Sequence, residues 1–346
     1  MSKKSHTAAR IAAGIGLALG GTAIAAGALY TEIMTSIIAR RRTPATDAMV
    51  ALATGYEPAP PDPAIAAMTQ ALQDAPTRPV ELRSRDGFVL RAHWYPTEGA
   101  KRTVMLVHGW HSRWCVDFSA SAPFLREAGC NLLLIDQRCH GESGGDLIAY
   151  GIAERYDVVT WLDWLEQEPE HKGLPVYLCG VSMGAATVLM AAGLPISGRV
   201  CGIIADCGYS TPDEIIKLTL EKNIGKMAGP TLAAVNINCK LRENFTFKDY
   251  SPLEAMVQNK DIPCLFVHGD ADDFVPWRMS FENFYACRAP KDILIVNGAG
   301  HGLSFLVNPE IYKKKLLSFF ETYDPIPAEP MPEPKKCLFG KKKAAL

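Results

Sequence analysis

The sequence lacks an excess of charge of either sign. Its 346 residues include 36 Lys and Arg residues and 37 Asp and Glu residues, which gives a formal net charge of −1. Without a basic surplus the chain has no electrostatic footprint for nucleic acid or an anionic surface, so nucleic acid is not an expected partner. Internal repeats and long low-complexity segments are also missing, and 48% hydrophobic and 21% charged residues are typical of a globular protein.

The ten cysteines contain no Cys-x-x-Cys pair and no spacing typical of metal ligands. We therefore expect no metal site and no cofactor. Cys130, Cys179, Cys201 and Cys264 lie in or beside apolar runs, where small buried thiols are common. This pattern favours a reducing compartment for the domain and leaves the question of disulfides open.

Residues 1–42 are dominated by a segment without charge. Ile11 to Tyr30 is twenty residues long, follows basic residues and precedes the arginine triplet 40–42. Twenty residues are enough to span a bilayer as a helix, so we predict a single-pass membrane anchor, whose orientation the nearly balanced flanking charge leaves open. A secreted protein with a signal peptide cleaved at Ala26-Gly27-Ala28 is the alternative, and a soluble Ala/Gly-rich helix is the third interpretation.

The rest of the chain divides into three predicted segments. Residues 43–78 are punctuated by proline and are interpreted as a connector. Residues 79–323 carry the alternating strand and helix patterns of one large domain. Residues 324–346, first rich in proline and then in lysine, are expected to be a flexible tail. Within the domain, residues of about 209–249 hold helical pieces separated by glycine and proline, and we predict a small helical cap there.

The domain pattern predicts an α/β fold. Val80 to Ser84 and Phe88 to Tyr95 alternate apolar and polar residues around a turn, as in a β-hairpin. Continuous apolar runs, such as Val104 to Val107 and Val176 to Cys179, then alternate with helical patterns. We therefore expect a mostly parallel central sheet with an N-terminal antiparallel hairpin and helices on both faces.

A Gly-x-Ser-x-Gly segment, Gly180 to Gly184, joins an apolar run to a helical pattern. A sharp strand-to-helix turn lifts the hydroxyl of Ser182 clear of the sheet. It also leaves the backbone N–H of Met183 free at a helix N-terminus, where it can stabilise an oxyanion. Ser182 is thus the predicted nucleophile, and Met183 is a predicted donor of the oxyanion hole.

A serine hydroxyl is a poor nucleophile at neutral pH and needs an adjacent base. Asp273 and His301 lie in loops behind two later strands, so the order Ser182, Asp273, His301 is the one expected for this architecture. We predict His301 as general base and Asp273 as the carboxylate that orients its imidazole. The other carboxylates weighed for that position are Asp206, Asp270 and Asp272.

Five strand-end segments together resemble the motifs of the α/β-hydrolase family. They are His108-Gly109-Trp110, Asp136 to Ser143, Gly180 to Gly184, Gly269 to Pro276 and Gly298 to Gly302. The resemblance covers about residues 79–323 and is closest to the serine-aminopeptidase-like and bacterial membrane-anchored, esterase-like members. Cys139 departs from the family, which usually has glycine at this position of the second motif.

The resemblance implies a serine hydrolase and assigns the second oxyanion donor to the N–H of Trp110. His111 and Tyr209 are further candidates for contact with the substrate. We expect a small-molecule ester, thioester or amide substrate with an apolar acyl part, because the cap pattern has an apolar inner face. Acyl transfer by the same triad, and a catalytically silent membrane-tethered interaction protein, are the alternatives.

Overall fold

The structure, a computed structural model, describes residues 25–44 and 62–325. Most of the predicted anchor segment, about half of the proline-rich connector and nearly all of the predicted C-terminal tail lie outside these two ranges. Among the helices within the two ranges, none combines the length and the hydropathy that a bilayer span requires. The membrane anchor therefore stays a prediction.

In the described part of the chain, one eight-stranded sheet has the order β1-β2-β4-β3-β5-β6-β7-β8. Its strands are β1 (Arg78–Arg83), β2 (Val89–Tyr95), β3 (Arg102–Val107), β4 (Cys130–Asp136), β5 (Val176–Val181), β6 (Gly202–Asp206), β7 (Cys264–Gly269) and β8 (Lys291–Val296). β2 pairs antiparallel with β1 and β4, and the other neighbours pair in parallel. The predicted α/β architecture with an antiparallel hairpin at one edge is confirmed.

The burial of the strands explains this arrangement. Every residue of β3, β4, β6 and β7 is buried, as expected for strands covered by helices on both faces. In β2, buried residues alternate with half-buried ones, because one face of this strand is less covered. The carboxyl ends of the parallel strands meet at one edge of the sheet, which is where ligand sites form in such folds.

α-Helices surround the sheet within the described residues. They are α1 (residues 25–39), α2 (Pro63–Gln73), α3 (Ala122–Glu127), α4 (Glu154–Gln167), α5 (Met183–Ala191), α6 (Pro212–Ile224), α7 (Ala228–Glu243), α8 (Pro252–Gln258), α9 (Arg278–Ala286), α10 (Ser304–Val307) and α11 (Pro309–Tyr323). α6 begins where the side chain of Thr211 accepts the N–H of Glu214 and Pro212 occupies the first turn. The helices α6 and α7 form the cap between β6 and β7.

Apolar clusters fill both faces of the sheet. Trp161 and Leu165 of α4 pack on one face, and Phe319 and Phe320 of α11 pack on the other. A third cluster lies under the cap, and it includes Ile38 of α1 beside residues of α6 and α7. The N-terminal helix thus shares an apolar core with the cap, which the division of the sequence into anchor and domain did not anticipate.

Candidate active site

Ser182 occupies a strained turn between β5 and α5. Its backbone has φ 56° and ψ −118°, a conformation that L residues rarely adopt. A Cβ atom on Gly180 would lie 2.2 Å from the carbonyl oxygen of Gly184, and one on Gly184 would lie 1.9 Å from the carbonyl oxygen of Val107. Both glycines are therefore required for α5 to approach β3 and β5 so closely.

We expect Gly184→Ala to lower the free energy of unfolding by about 3 kcal/mol or more, because backbone has to move to admit the methyl group. Chemical denaturation measures this loss. The matched control is Gly27→Ala in α1, where an added Cβ meets no atom within 4 Å. The control should be neutral or stabilising by about 0.5–1 kcal/mol. Equal stability of the two variants would contradict the close approach at Gly184.

The side chains of Ser182, His301 and Asp272 form a hydrogen-bonded chain. The Ser182 hydroxyl lies 2.9 Å from Nε2 of His301, and Nδ1 of His301 lies 2.7 Å from Oδ2 of Asp272. Since the carboxylate only accepts, Nδ1 carries the proton and Nε2 accepts from the serine hydroxyl. This arrangement can transfer a proton from the hydroxyl to the imidazole while the carboxylate stabilises the charge that develops.

Asp272, and not the predicted Asp273, contacts His301. Oδ1 of Asp272 accepts the backbone N–H groups of Phe274 and Val275, each at 2.9 Å, which folds the chain into an Asx-type turn. That turn directs the other oxygen of Asp272 inward to the imidazole. Asp273 is the next residue along the turn and is exposed, so the prediction of Asp273 as the orienting carboxylate is wrong in this structure.

The two other carboxylates weighed for this role fix loops. Asp270 accepts the N–H of Gly298 at 2.7 Å, and Asn297 donates its amide to the same carboxylate at 3.1 Å. These bonds hold the loop that carries His301. Asp206 is buried and accepts the hydroxyl of Ser304 at 3.0 Å.

The two predicted oxyanion donors belong to residues from different elements. Trp110 follows β3 and Met183 begins α5, and both line a cavity with Ser182. Within the described ranges, neither N–H donates to a backbone carbonyl. Asp117, which the sequence did not single out, holds the loop around Trp110 by accepting the N–H of Gly109 at 2.6 Å. An aspartate in an irregular segment leaves no periodic signal that would have revealed this role.

The family assignment follows from comparison of the whole sequence. The profile described as the alpha/beta hydrolase family matches residues 104–313, which is more than half of the chain. The chain belongs to the alpha/beta hydrolase family. Its match with the family begins in β3, includes all of the segments around Ser182, Asp272 and His301, and ends in α11.

Similar proteins occur in several bacteria. The hydrolase is 28% identical over 235 residues to YqkD of Bacillus subtilis, which covers 68% of this chain and 76% of that protein. It is 21% identical over 250 residues to YfhR of Escherichia coli strain K12, covering 69% of this chain and 79% of that protein.

Solved structures share the fold of the hydrolase. The esterase Pf2001 of Pyrococcus furiosus superposes with a TM-score of 0.60 at 21% identity, covering 72% of this chain and 92% of that one. A dienelactone hydrolase of Anabaena variabilis superposes with a TM-score of 0.53 at 18% identity, covering 72% and 98%. At these identities the likeness shows the fold, and the family membership supports hydrolase activity.

The two predicted substrate contacts, Tyr209 and His111, line different cavities of the hydrolase. Tyr209 lines the same cavity as Ser182, although its hydroxyl donates to the carbonyl of Tyr150 at 2.8 Å. His111 stacks on Trp110 and its Nε2 donates to the carbonyl of Arg40 at 3.0 Å. The cavity that His111 lines does not include Ser182, so the structure does not place it at the nucleophile.

The environment of the imidazole favours its charged form. Burial raises the pKa of Asp272, but hydrogen bonds from His268 and His301 outweigh it and hold that pKa well below its usual value. For His301, burial lowers the pKa, while the neighbouring Cys207 and Asp272 raise it, and its pKa lies well above the usual 6.5. Because its pKa is lowered, Asp272 is ionised at pH 7 and supplies a negative charge that favours the imidazolium of His301.

The raised pKa of His301 predicts the pH dependence of activity. A protonated imidazole cannot accept the serine proton, so kcat/KM falls as the pH drops through the pKa of His301. We expect the midpoint of this acid limb above pH 6.5, the usual value of the group. Asp272→Asn removes the charge and should move the midpoint to lower pH. A pH–rate profile of both proteins measures the shift, and an unchanged midpoint would contradict the role of Asp272.

The sulfur of Cys207 lies beside this pair. One ligand atom each from Cys207, Asp272 and His301 lies within 4.8 Å of the others, a spacing that a metal ion can bridge. However, the Asp272 and His301 atoms are already joined by a hydrogen bond of 2.7 Å. A metal ion would have to replace that bond, so the donor set fits the proton-transfer role better than a resident metal.

Proposed function

We propose that this protein is a serine hydrolase that cleaves carboxylic esters, or the related thioesters and amides, through an acyl-enzyme intermediate. The observation that carries the proposal is the position of His301, whose two ring nitrogens lie 2.9 Å from the Ser182 hydroxyl and 2.7 Å from Asp272. Membership of the alpha/beta hydrolase family supports it.

In the first half of the proposed reaction, Oγ of Ser182 forms a bond with the carbonyl carbon while its proton passes to Nε2 of His301. The N–H groups of Trp110 and Met183 donate to the oxyanion, and each such donor contributes about 3 kcal/mol in the transition state. The carbon–oxygen bond to the leaving group then breaks, and His301 returns its proton to the leaving oxygen.

In the second half, water attacks the acyl-enzyme and gives a proton to His301. The acyl–oxygen bond to Ser182 breaks, the carboxylic acid leaves, and the proton of His301 returns to the serine oxygen. Asp272 stays ionised throughout and stabilises the imidazolium, which agrees with its lowered pKa. No proton or electron has to come from a further group.

A fluorophosphonate probe tests the proposal. We expect a covalent adduct on Ser182 in the folded protein, located by mass spectrometry of its peptides, and no adduct after heat denaturation. Ser197 is exposed and serves as the internal control, because its hydroxyl has no basic hydrogen-bond partner among the described residues. Absence of an adduct on Ser182, or equal modification of Ser197, would refute the proposed function.

A further inference from the structure

Two apolar cavities meet at Ser182. The larger, of about 660 Å³, lies between α1 and the cap helix α6. The smaller, of about 300 Å³, lies toward α10 and includes Leu303, Phe305 and Leu306. Since Ser182 lines both, a substrate bound at its hydroxyl has space on two sides, one for each side of the bond that is cleaved.

The helix α1 forms one wall of the larger cavity. Its lining residues are Tyr30, Ile33, Met34, Ile37 and Ile38. Their spacing of three, four, seven and eight residues places them on one face of the helix. Tyr30 is 40% exposed and Ile38 is 5% exposed, so this wall runs from the protein surface at Tyr30 into the interior.

Polar contacts hold α1 on the cap. Glu32 accepts from the guanidinium of Arg242 at 2.9 Å and from the amide of Asn238 at 3.2 Å. The hydroxyls of Tyr30 and Thr231 lie 2.8 Å apart. Each of these contacts joins α1 to α7, on the side of the helix that borders the cap.

The inner end of α1 is held by the sheet-side loops. The indole N–H of Trp110 donates to the carbonyl of Ile38 at 3.0 Å, and the hydroxyl of Tyr150 donates to the same carbonyl at 3.1 Å. The N–H of Ile148 donates to the carbonyl of Ala39. Because Trp110 also carries a proposed oxyanion donor, α1 contacts the residue that positions the reacting carbonyl.

The catalytic groups distinguish the two cavities. His301 lines the smaller cavity, and Met183 lines the larger one. In the proposed reaction His301 protonates the leaving oxygen, so the leaving group has to lie on the side of the smaller cavity. The acyl chain then extends on the opposite side, past Met183 and along α1.

The larger cavity contains no charged side chain among its described lining residues. The hydroxyls of Tyr150 and Tyr209 are both occupied by backbone carbonyls. A charged acyl group, such as an aminoacyl or dicarboxylic group, would lose its hydration there without gaining a partner. An uncharged alkyl chain gains from burial at every methylene group.

We propose that α1 is part of the substrate pocket and that its apolar face selects long, uncharged acyl chains, while the leaving alcohol occupies the cavity beside His301. This inference rests on the proposed function. It makes Ile33, Met34 and Ile37 determinants of acyl-chain length, although they lie outside the residues that match the family profile.

A series of p-nitrophenyl esters from acetate to dodecanoate tests the proposal. For the wild type we expect kcat/KM to rise from acetate to octanoate. Ile33→Trp should fill part of the cavity and lower kcat/KM for octanoate by about tenfold or more relative to acetate. Retained acetate hydrolysis shows that this variant folds, and Met34→Trp repeats the test from the next position. Ile237→Trp on the exposed face of α7 is the matched control and should keep the wild-type profile.

A separate substitution tests which cavity holds the acyl chain and which holds the leaving alcohol. Leu306→Trp narrows the smaller cavity and should lower kcat/KM for esters of a bulky alcohol relative to a small one, without changing the preference for acyl length. If Leu306→Trp shortens the preferred acyl chain and Ile33→Trp does not, the assignment of the cavities is reversed and the proposal fails. The proposal is also overturned if neither Ile33→Trp nor Met34→Trp changes the dependence of kcat/KM on acyl-chain length.

Fluorophosphonate labelling separates this failure from failure of the proposed function. A probe with a short alkyl group reports on Ser182 and His301 without needing the larger cavity. Labelling with an unaltered acyl profile in the α1 variants would refute the role of α1 alone. Absence of labelling in the wild type would refute the proposed function itself.

Discussion

Asp272→Asn is expected to lower kcat for a p-nitrophenyl ester by about 10⁴-fold, whereas Asp273→Asn should leave kcat close to that of the wild type. The reason is geometric, because Oδ2 of Asp272 lies 2.7 Å from Nδ1 of His301 and Asp273 is exposed. An amide at position 272 lacks the charge that stabilises the imidazolium and favours the wrong tautomer of His301. Steady-state kinetics of the two variants under the same conditions measure the difference.

The two substitutions are matched in chemistry and differ by one position in the chain. In Asp272→Asn the amide still offers an oxygen to the N–H groups of Phe274 and Val275, so the turn is preserved and the thermal unfolding midpoint should change little. Loss of activity in Asp273→Asn with retention in Asp272→Asn would show that the carboxylates exchange places in solution. Full activity of both variants would remove the carboxylate from the mechanism.

The pattern of apolar residues along the sequence was sufficient to predict the strands of the sheet. The hairpin β1–β2 alternates because one face of these strands is less covered. The runs 104–107 of β3 and 176–179 of β5 are continuously apolar because helices cover both faces. The Gly-x-Ser-x-Gly pattern was sufficient to predict a tight turn at Ser182. A Cβ atom at position 180 or 184 would collide with backbone, so both positions require glycine. These features depend on local sequence, and the sequence therefore predicts them.

The pattern of apolar residues could not show which aspartate contacts His301. Asp270, Asp272 and Asp273 lie within four positions, and which one faces His301 depends on a turn set by two backbone hydrogen bonds from Phe274 and Val275. The spacing Gly-Asp-x-Asp-x-x-Val-Pro contained a usable signal, because its second aspartate is Asp272. A shift of one residue in an irregular loop moves a side chain from the interior to solvent, and strand periodicity cannot detect such a shift.

The role of α1 was hidden because its first residues belong to a long uncharged run. The uncharged run from Ile11 to Tyr30 is twenty residues long, and this length favours a membrane span. The apolar positions from Tyr30 to Ile38 follow the spacing of one helix face, which is the signal of a helix packed on a protein surface. The polar partners of α1 lie about 200 residues later, in the cap, and cannot be derived from local sequence.

Ser182→Ala and His301→Ala should each lower kcat on the order of 10⁶-fold, and the double variant should be no less active than either one. The serine oxygen and the imidazole share one proton across 2.9 Å, so removing either partner abolishes the same step. Activity of all three variants should remain above the uncatalysed rate, because the N–H groups of Trp110 and Met183 still stabilise an oxyanion formed by direct attack of water.

A double-mutant cycle on kcat makes this comparison quantitative. Independent contributions would multiply, and the double variant would then fall far below either single variant. Gly27→Ala lies at an exposed position of α1. It is the control for the preparation and assay of a variant protein, and it should retain the wild-type rate. Multiplicative losses would show that Ser182 and His301 do not act on one proton. Non-multiplicative losses, together with the contrast between Asp272 and Asp273, would establish all three side chains as one catalytic unit.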